Sequence, residues 1–191
     1  MSVKLVKTPL SGDIAGTLYC GDSILLTGYI YTARDAAHAR LTESIKRGEQ
    51  LPFEIKNSVI YYVGPTPAMP GKVIGSAGPT TSSRMDVYTP ALIACGLTGM
   101  IGKGKRSREV TKAICKYGAV YFGAIGGAGA MLAQCIESSE IIAYEDLGAE
   151  AIRLLKVNEM PLTVVIDSNG NDLYKQGREN YLTWRQTIDR S

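Results

Sequence analysis

"DSILLTGYIYTARDAAHARLTESIKR", residues 22–47, changes periodicity part of the way along. As far as Ala33 the run is apolar and rich in Ile, Leu and Tyr, which is the composition of a largely buried strand. Beyond it Ala37, Leu41 and Ile45 recur at four-residue spacing, the signature of one helical face, with Thr32 as the expected cap and Gly48 as the stop. A strand that feeds directly into a helix is the building unit of an α/β fold.

Outward from this unit, further strands are expected in "SVIYYVGP" (58–65), "KVIGSAGP" (72–79), "TGMIG" (98–102), "AVYFGAIGG" (119–127), "EIIAYEDL" (140–147) and "PLTVVID" (161–167). Helices are placed by their ends. Thr89 and Pro90 read as a cap and first-turn proline ahead of "ALIAC", with Gly96 beyond. Ser107 caps "REVTKAICKY", whose Val110, Ala113, Ile114 and Tyr117 form one apolar stripe ending at Gly118. Asn169-Gly170 reads as a hairpin turn, and the residues from Arg178 onward as a weak helix or tail. The expected fold is α/β, a mixed β core with flanking short helices, in one domain over residues 1–191.

Composition narrows the function classes. With 191 residues, 45% of them apolar, the chain can bury a sizeable core. A net charge of +3, from 21 Lys and Arg against 18 Asp and Glu, falls short of the dense positive field of a dedicated nucleic-acid binder. The run "AVYFGAIGGAGAMLA" (119–133) is too short and too glycine-rich to span a bilayer, which takes about 20 apolar residues. Cys20, Cys95, Cys115 and Cys135 are widely spaced, without a C-x-x-C pair, a neighbouring His or a secretory leader ahead of them. They read as buried, reduced thiols of a cytoplasmic protein, and no metal site is expected from this chain alone. His38, the only histidine, reads as a packing residue, and "GAIGGAGA" (123–130) as close packing of small residues, since the dinucleotide-binding spacing is missing.

Three cations follow expected strands. Arg34 falls at the start of the helix after "GYIYTA", Arg84 follows the hydroxyl run of "GPTTSSR" (78–84), and Lys103 stands between Gly102 and Gly104 after "TGMI". A cation in a first helical turn opposes the helix macrodipole, so the position suits an anionic ligand better than it suits helix stability. Two arginines and a lysine together would neutralise a small dianion, and planar carboxylates match the guanidinium fork. Each feature also has a plainer reading. Arg34 pairs with Asp35 on the surface, "KGKRSR" (103–108) is a solvated basic run, and the hydroxyls of "GPTTSSR" satisfy nearby backbone groups. Spacing alone leaves both readings open.

The stretches "LTGYIYTARDAAHARL", "GPTTSSRMDVYTP", "GMIGKGKRS", "YFGAIGGAGAMLAQCI" and "PLTVVIDSNGNDLY" resemble, in order and over about Leu5 to Tyr174, the β subunit or C-terminal domain of class I fumarases and the related tartrate dehydratases. The resemblance implies a swivelling β/β/α domain that closes over an active site built mainly by an α subunit. It implies that this partner, and not this chain, ligates a [4Fe-4S] cluster. By the same resemblance Arg34, Arg84 and Lys103 bind the substrate, and Thr80 is the catalytic base. The implied reaction is reversible hydration of fumarate to (S)-malate, and Asp86 in "SSRMD" favours fumarate over tartrate. The alternatives are the β subunit of an L(+)-tartrate dehydratase and a stand-alone carboxylate- or phosphate-binding module without enzymatic activity.

Overall fold

A computed structural model describes residues 3–188. Its strands are β1 (Lys4–Lys7), β2 (Ser23–Thr32), β3 (Val59–Tyr61), β4 (Gly99–Gly102), β5 (Val120–Gly123), β6 (Ile136–Ala143) and β7 (Ile152–Ile166). Between and after them come helices α1 (Gly12–Gly16), α2 (Asp35–Lys46), α3 (Thr89–Ala94), α4 (Arg108–Tyr117), α5 (Gly129–Gln134) and α6 (Leu173–Ile188). The architecture is mixed α/β, as the 22–47 unit implies.

The sheet order is β1-β2-β3-β4-β5-β7-β6, and β2 also pairs with β7. That extra pairing joins β2, β3, β4, β5 and β7 into a closed, barrel-like ring, with β1 and β6 outside it. Strands β2 to β5 are mutually parallel, while β7 runs antiparallel to both of its ring neighbours. Closure requires β2 to bend, and the β2–β7 register shifts between Leu26 and Gly28. Gly28 has φ 126°, and a Cβ there would lie 2.3 Å from Thr8 Oγ1, so both the bend and the close approach of the chain after β1 depend on glycine.

Alternation along the strands separates two cores. Ile24, Leu26, Ile30, Val59, Tyr61, Ile101, Val120, Phe122, Leu155, Leu162 and Val164 form one cluster on the face that the ring encloses. Ile60, Met100, Tyr121, Val165 and Ile166 face outward and pack with Ala37 and Leu41 of α2, Leu92 and Ile93 of α3, and Val110 and Ile114 of α4. Burial on both faces is why these strands read as near-continuous apolar runs.

Several expectations differ from the structure. Residues 72–79 form no strand. They are an irregular loop with Val73 48% exposed, whose Ala77 N–H donates to the Gly129 carbonyl of α5. Helix α5 itself occupies part of the glycine-rich run, and its close packing is real: a Cβ on Gly129 would meet Ser76 Oγ at 2.4 Å and Gly78 N at 2.9 Å. The Asn169-Gly170 turn does reverse the chain, with one antiparallel bridge from Ile166 to Asp172, but the chain then enters α6 instead of a second strand, and only Gly170 takes a positive φ, 85°. The Asp167 carboxylate organises this turn, accepting the Asn169 and Asn171 N–H groups at 3.0 Å each. Of the weak helix or tail expected from Arg178, residues 178–188 are the later part of α6, and residues 189–191 lie outside the described residues. Thr32 caps no helix. It ends β2, fully buried, with its hydroxyl donating to the Ala151 carbonyl and accepting from Arg153 N–H. Thr89 is likewise the first residue of α3 and not its cap. No helix among the described residues is long and apolar enough to cross a membrane.

Candidate functional site

Because β2, β3, β4 and β5 are parallel, the segments leaving their carboxyl ends share one edge of the sheet, the usual place for ligands in such sheets. Arg34 leaves β2, Tyr62 to Gly64 leave β3, Lys103 leaves β4 and Gly126 follows β5.

Arg34 is the N-cap residue of α2, one position before its first turn, in extended backbone with φ −122° and ψ −161°. Its side chain caps nothing. The helix start is satisfied instead from the 3₁₀ segment Glu145–Glu150, where Glu150 Oε2 accepts the Ala36 N–H at 2.9 Å. Glu150 Oε1 lies 3.5 Å from Arg34 Nη2. The anion expected at this helix end is therefore already present in the fold, and it also holds the arginine. Arg34 lies flat on the chain after β3, since a Cβ on Gly64 would stand 2.6 Å from its Nη1.

Arg84 belongs to the 3₁₀ turn Ser82–Met85 and leaves half of its side chain exposed. Its Nε donates to Asp35 Oδ1 at 2.9 Å, and its Nη2 lies 2.9 Å from Asp35 Oδ2. Arg34 Nη2 lies 3.9 Å from the same carboxylate, so the two arginines meet across Asp35. The surface pair expected between Arg34 and Asp35 is thus the weaker of the two contacts that Asp35 makes.

The hydroxyl run is laid along the end of the sheet. Thr80 is half-buried and its N–H donates to the Tyr62 carbonyl at 2.7 Å. Thr81 bridges to Lys103 in parallel, and Ser82 N–H donates to the Lys103 carbonyl at 2.9 Å. The Lys103 side chain passes over Gly126, where an added Cβ would be 3.5 Å from its Cδ. Tyr62 therefore holds Thr80 while Gly64, two residues on, supports Arg34. Arg34, Arg84, Lys103 and Thr80 come together on one edge, bound to each other through Asp35 and through backbone hydrogen bonds.

Under this edge lies a buried charge from "KGKRSR", whose plainer reading was a solvated basic run. The Arg106 side chain is fully buried, and its Nε donates to Asp86 Oδ1 at 2.7 Å. Nothing in "KGKRSR" distinguishes Arg106 from its exposed neighbours, because its partners come from elsewhere in the chain. Glu150 was equally invisible, 114 residues from the amide that it caps.

His38 is fully buried, and burial pushes its pKa down to about 4, so the ring is neutral at pH 7. Its Nδ1 lies 2.9 Å from the Arg34 carbonyl, and the ring meets Tyr62 edge-on. It is a packing residue behind Arg34. The four cysteines are not the buried thiols expected, since Cys95 and Cys115 are exposed and Cys20 and Cys135 only half-buried. The Cys20 thiol is pushed up to about 11, first by burial and then by Asp167 and Asp172, which makes it a poor ligand and nucleophile. Among the described residues no three His, Cys, Asp or Glu side chains gather where they could hold a metal. The donors among the described residues therefore do not fit an iron-sulfur cluster. A groove of roughly 640 Å³ beside α5, lined by residues such as Met69, Val73, Ile74 and Ala133, contains none of the candidate residues.

Residues 2–177 match the family described as Fumarase C-terminus. The anaerobic class I fumarate hydratase of Escherichia coli (strain K12) is 46% identical over 153 residues, which are 79% of this chain and 28% of that protein. Fumarate hydratase 1, mitochondrial, of Leishmania major is 44% identical over the same length and shares. A Methanocaldococcus jannaschii protein provisionally named an L(+)-tartrate dehydratase β subunit is 39% identical over 165 residues, 83% of this chain and 85% of that protein. The chain thus spans 28% of the length of these fumarate hydratases and most of the archaeal protein.

Proposed function

Because the chain belongs to the fumarase C-terminus family, we propose that it is the β subunit of a hydro-lyase that reversibly hydrates fumarate to (S)-malate, in an active site shared with a separate α subunit. The observation that carries this reading is the convergence of Arg34, Arg84, Lys103 and Thr80 on one sheet edge. The reading takes residues 1–191 as one swivelling domain that closes over the site in the cytoplasm. The family resemblance assigns a [4Fe-4S] cluster to the α subunit, where it would supply Lewis acidity.

The contribution of this chain is electrostatic. Arg84 commits Nε to a hydrogen bond with Asp35 and keeps Nη2 in ion-pair contact with it, which orients the guanidinium and leaves Nη1 for a substrate carboxylate. Arg34 is held more loosely, through Nη2 alone, 3.5 Å from Glu150 and 3.9 Å from Asp35, while its buried Nε has no hydrogen-bond partner. As the C3 proton of malate leaves, negative charge grows on the adjacent carboxylate, and cations already in place stabilise that charge more than they stabilise the ground state. Thr80 accepts the proton. An unaided threonine hydroxyl is a very weak base, so its activity depends on the positive charge of Lys103, joined to the same loop through the Thr81 bridge.

A second reading, the β subunit of an L(+)-tartrate dehydratase, draws on the 85% coverage of the archaeal relative. Asp86 does not discriminate by direct contact, because its oxygens are taken by Arg106 and by the Ser107 N–H. The test is a coupled assay of the complex reconstituted anaerobically with its partner chain, on fumarate, mesaconate and both tartrate isomers. Fumarate turnover is expected from the complex and not from this chain alone. Arg84→Ala and Lys103→Ala are each expected to lower kcat/KM about 10²–10³-fold with assembly intact. Turnover of tartrate only would favour the second reading. Carboxylate binding without turnover would favour a non-enzymatic module, and unchanged kinetics in both variants would remove these residues from the site.

A further inference from the structure

Arg106 and Asp86 form a buried ion pair that touches no candidate site residue through a side chain, yet it joins the loops that carry them. The Arg106 side chain is 0% exposed and that of Asp86 10%. Arg106 Nε donates to Asp86 Oδ1 at 2.7 Å, Nη2 to Thr89 Oγ1 at 2.8 Å and Nη1 to Tyr62 Oη at 3.3 Å. The guanidinium carbon lies 5.2 Å and 5.0 Å from the Tyr62 and Tyr121 ring centroids, so the cation is enclosed between two aromatic rings. Asp86 Oδ2 accepts the Ser107 N–H at 2.6 Å. Asp86 follows Arg84 by two residues, Arg106 follows Lys103 by three, and Tyr62 supplies the carbonyl that holds Thr80.

A second buried relay runs beside the first. Ser82 Oγ lies 2.9 Å from Tyr121 Oη, which donates to the Gly104 carbonyl at 2.9 Å. It joins the hydroxyl run to the lysine loop through a strand of the ring. Taking a guanidinium out of water is costly, and an apolar pair of similar volume often gives equal or better stability. Directional bonds do what an apolar pair cannot, because they fix the register of one loop against the other.

We infer that Arg106 and Asp86 are positioning residues, holding the Thr80–Arg84 run and the Lys103 loop in the one register in which their groups face a common ligand. This deepens the proposed function and rests on it for its kinetic consequence, though not for its structural one.

The test compares the wild-type chain with the double variant Asp86→Leu/Arg106→Met, which replaces the ion pair by apolar bulk. Arg106→Lys, which keeps the charge and loses the fork, serves as a milder second variant should the first fail to fold. Hydrogen exchange on the full chain reads the register. The Ser82 amide and amides 103–107 are expected to exchange at least tenfold faster in either variant, with those of β2 and β7 unchanged. In the reconstituted complex, kcat per folded complex is expected to fall about 100-fold, as a misplacement near 1 Å would produce. A purely structural pair would lower the folded fraction and leave kcat per folded complex intact. Unchanged local exchange, or unchanged kcat in a folded variant, overturns the inference. A wild-type complex inactive on every substrate defeats the proposed function instead, and the exchange result still decides the positioning role.

Discussion

His38 shows how burial sets chemistry at a single residue. Its pKa lies near 4 in the fold against an ordinary 6.5, chiefly because a charged imidazole would be desolvated there. The folded state thus binds fewer protons than the unfolded chain across this interval. The associated stability is fully present above pH 6.5 and is lost as pH falls through about 4. Between pH 7 and pH 4.5 this one group is expected to lower unfolding free energy by about 2–3 kcal/mol. Urea unfolding of wild type and His38→Gln at both pH values measures it, and the variant should show the smaller decline. Equal declines would show that the acid sensitivity lies in the carboxylates. The sequence revealed that His38 is the only histidine and read it as a packing residue. That its ring would be closed off behind Arg34 depended on Tyr62, which arrives from β3.

At the scale of elements, the ends of α4 illustrate what local chemistry can specify. Ser107 in extended conformation accepts the Val110 N–H at 3.3 Å, and Gly118 closes the helix in the left-handed region with φ 72°. Both were legible because caps act within four residues of themselves. Ser107→Ala is expected to cost about 1 kcal/mol, a fall of about 2–4 °C in melting temperature for a chain of this length. A fall below about 0.5 °C would mean that the Asp86 bond to the Ser107 N–H is enough to secure the helix start. Other elements were illegible for equally physical reasons. β1 is a four-residue edge strand with two lysines, too short to set a period. The first half of β7 is masked by charged residues that pair with β6 and are half exposed, such as Lys156 with Glu137. The 72–79 run has strand composition but lies outside the ladder, because the Thr66 hydroxyl and Gly129 take its backbone groups.

For the whole molecule, the closed ring is the frame that keeps four strand ends on one edge. Its interior depends on large side chains such as Phe122, fully buried on β5, which pairs with β4 on one side and β7 on the other. Phe122→Ala is expected to cost about 3–5 kcal/mol in equilibrium unfolding, through lost burial and the cavity left behind. A cost under about 1 kcal/mol would mean that the interior readjusts and that the ring is not the frame. The sequence by itself determined the α/β class, the strands at 22–33 and 98–102, the helix at 108–117 and the existence but not the start of the helix that it placed at 33–47, and the residue types available for an anion. Each of these follows from periodicity, caps and charge acting over a few residues. The tertiary structure alone decided that β2 and β7 close the ring, that Glu150 occupies the start of α2, and that Arg106 is buried against Asp86 while Arg84 stays exposed. Those outcomes depend on partners 20 to more than 100 positions away, and local sequence carries no record of which distant group will remove a charge from water.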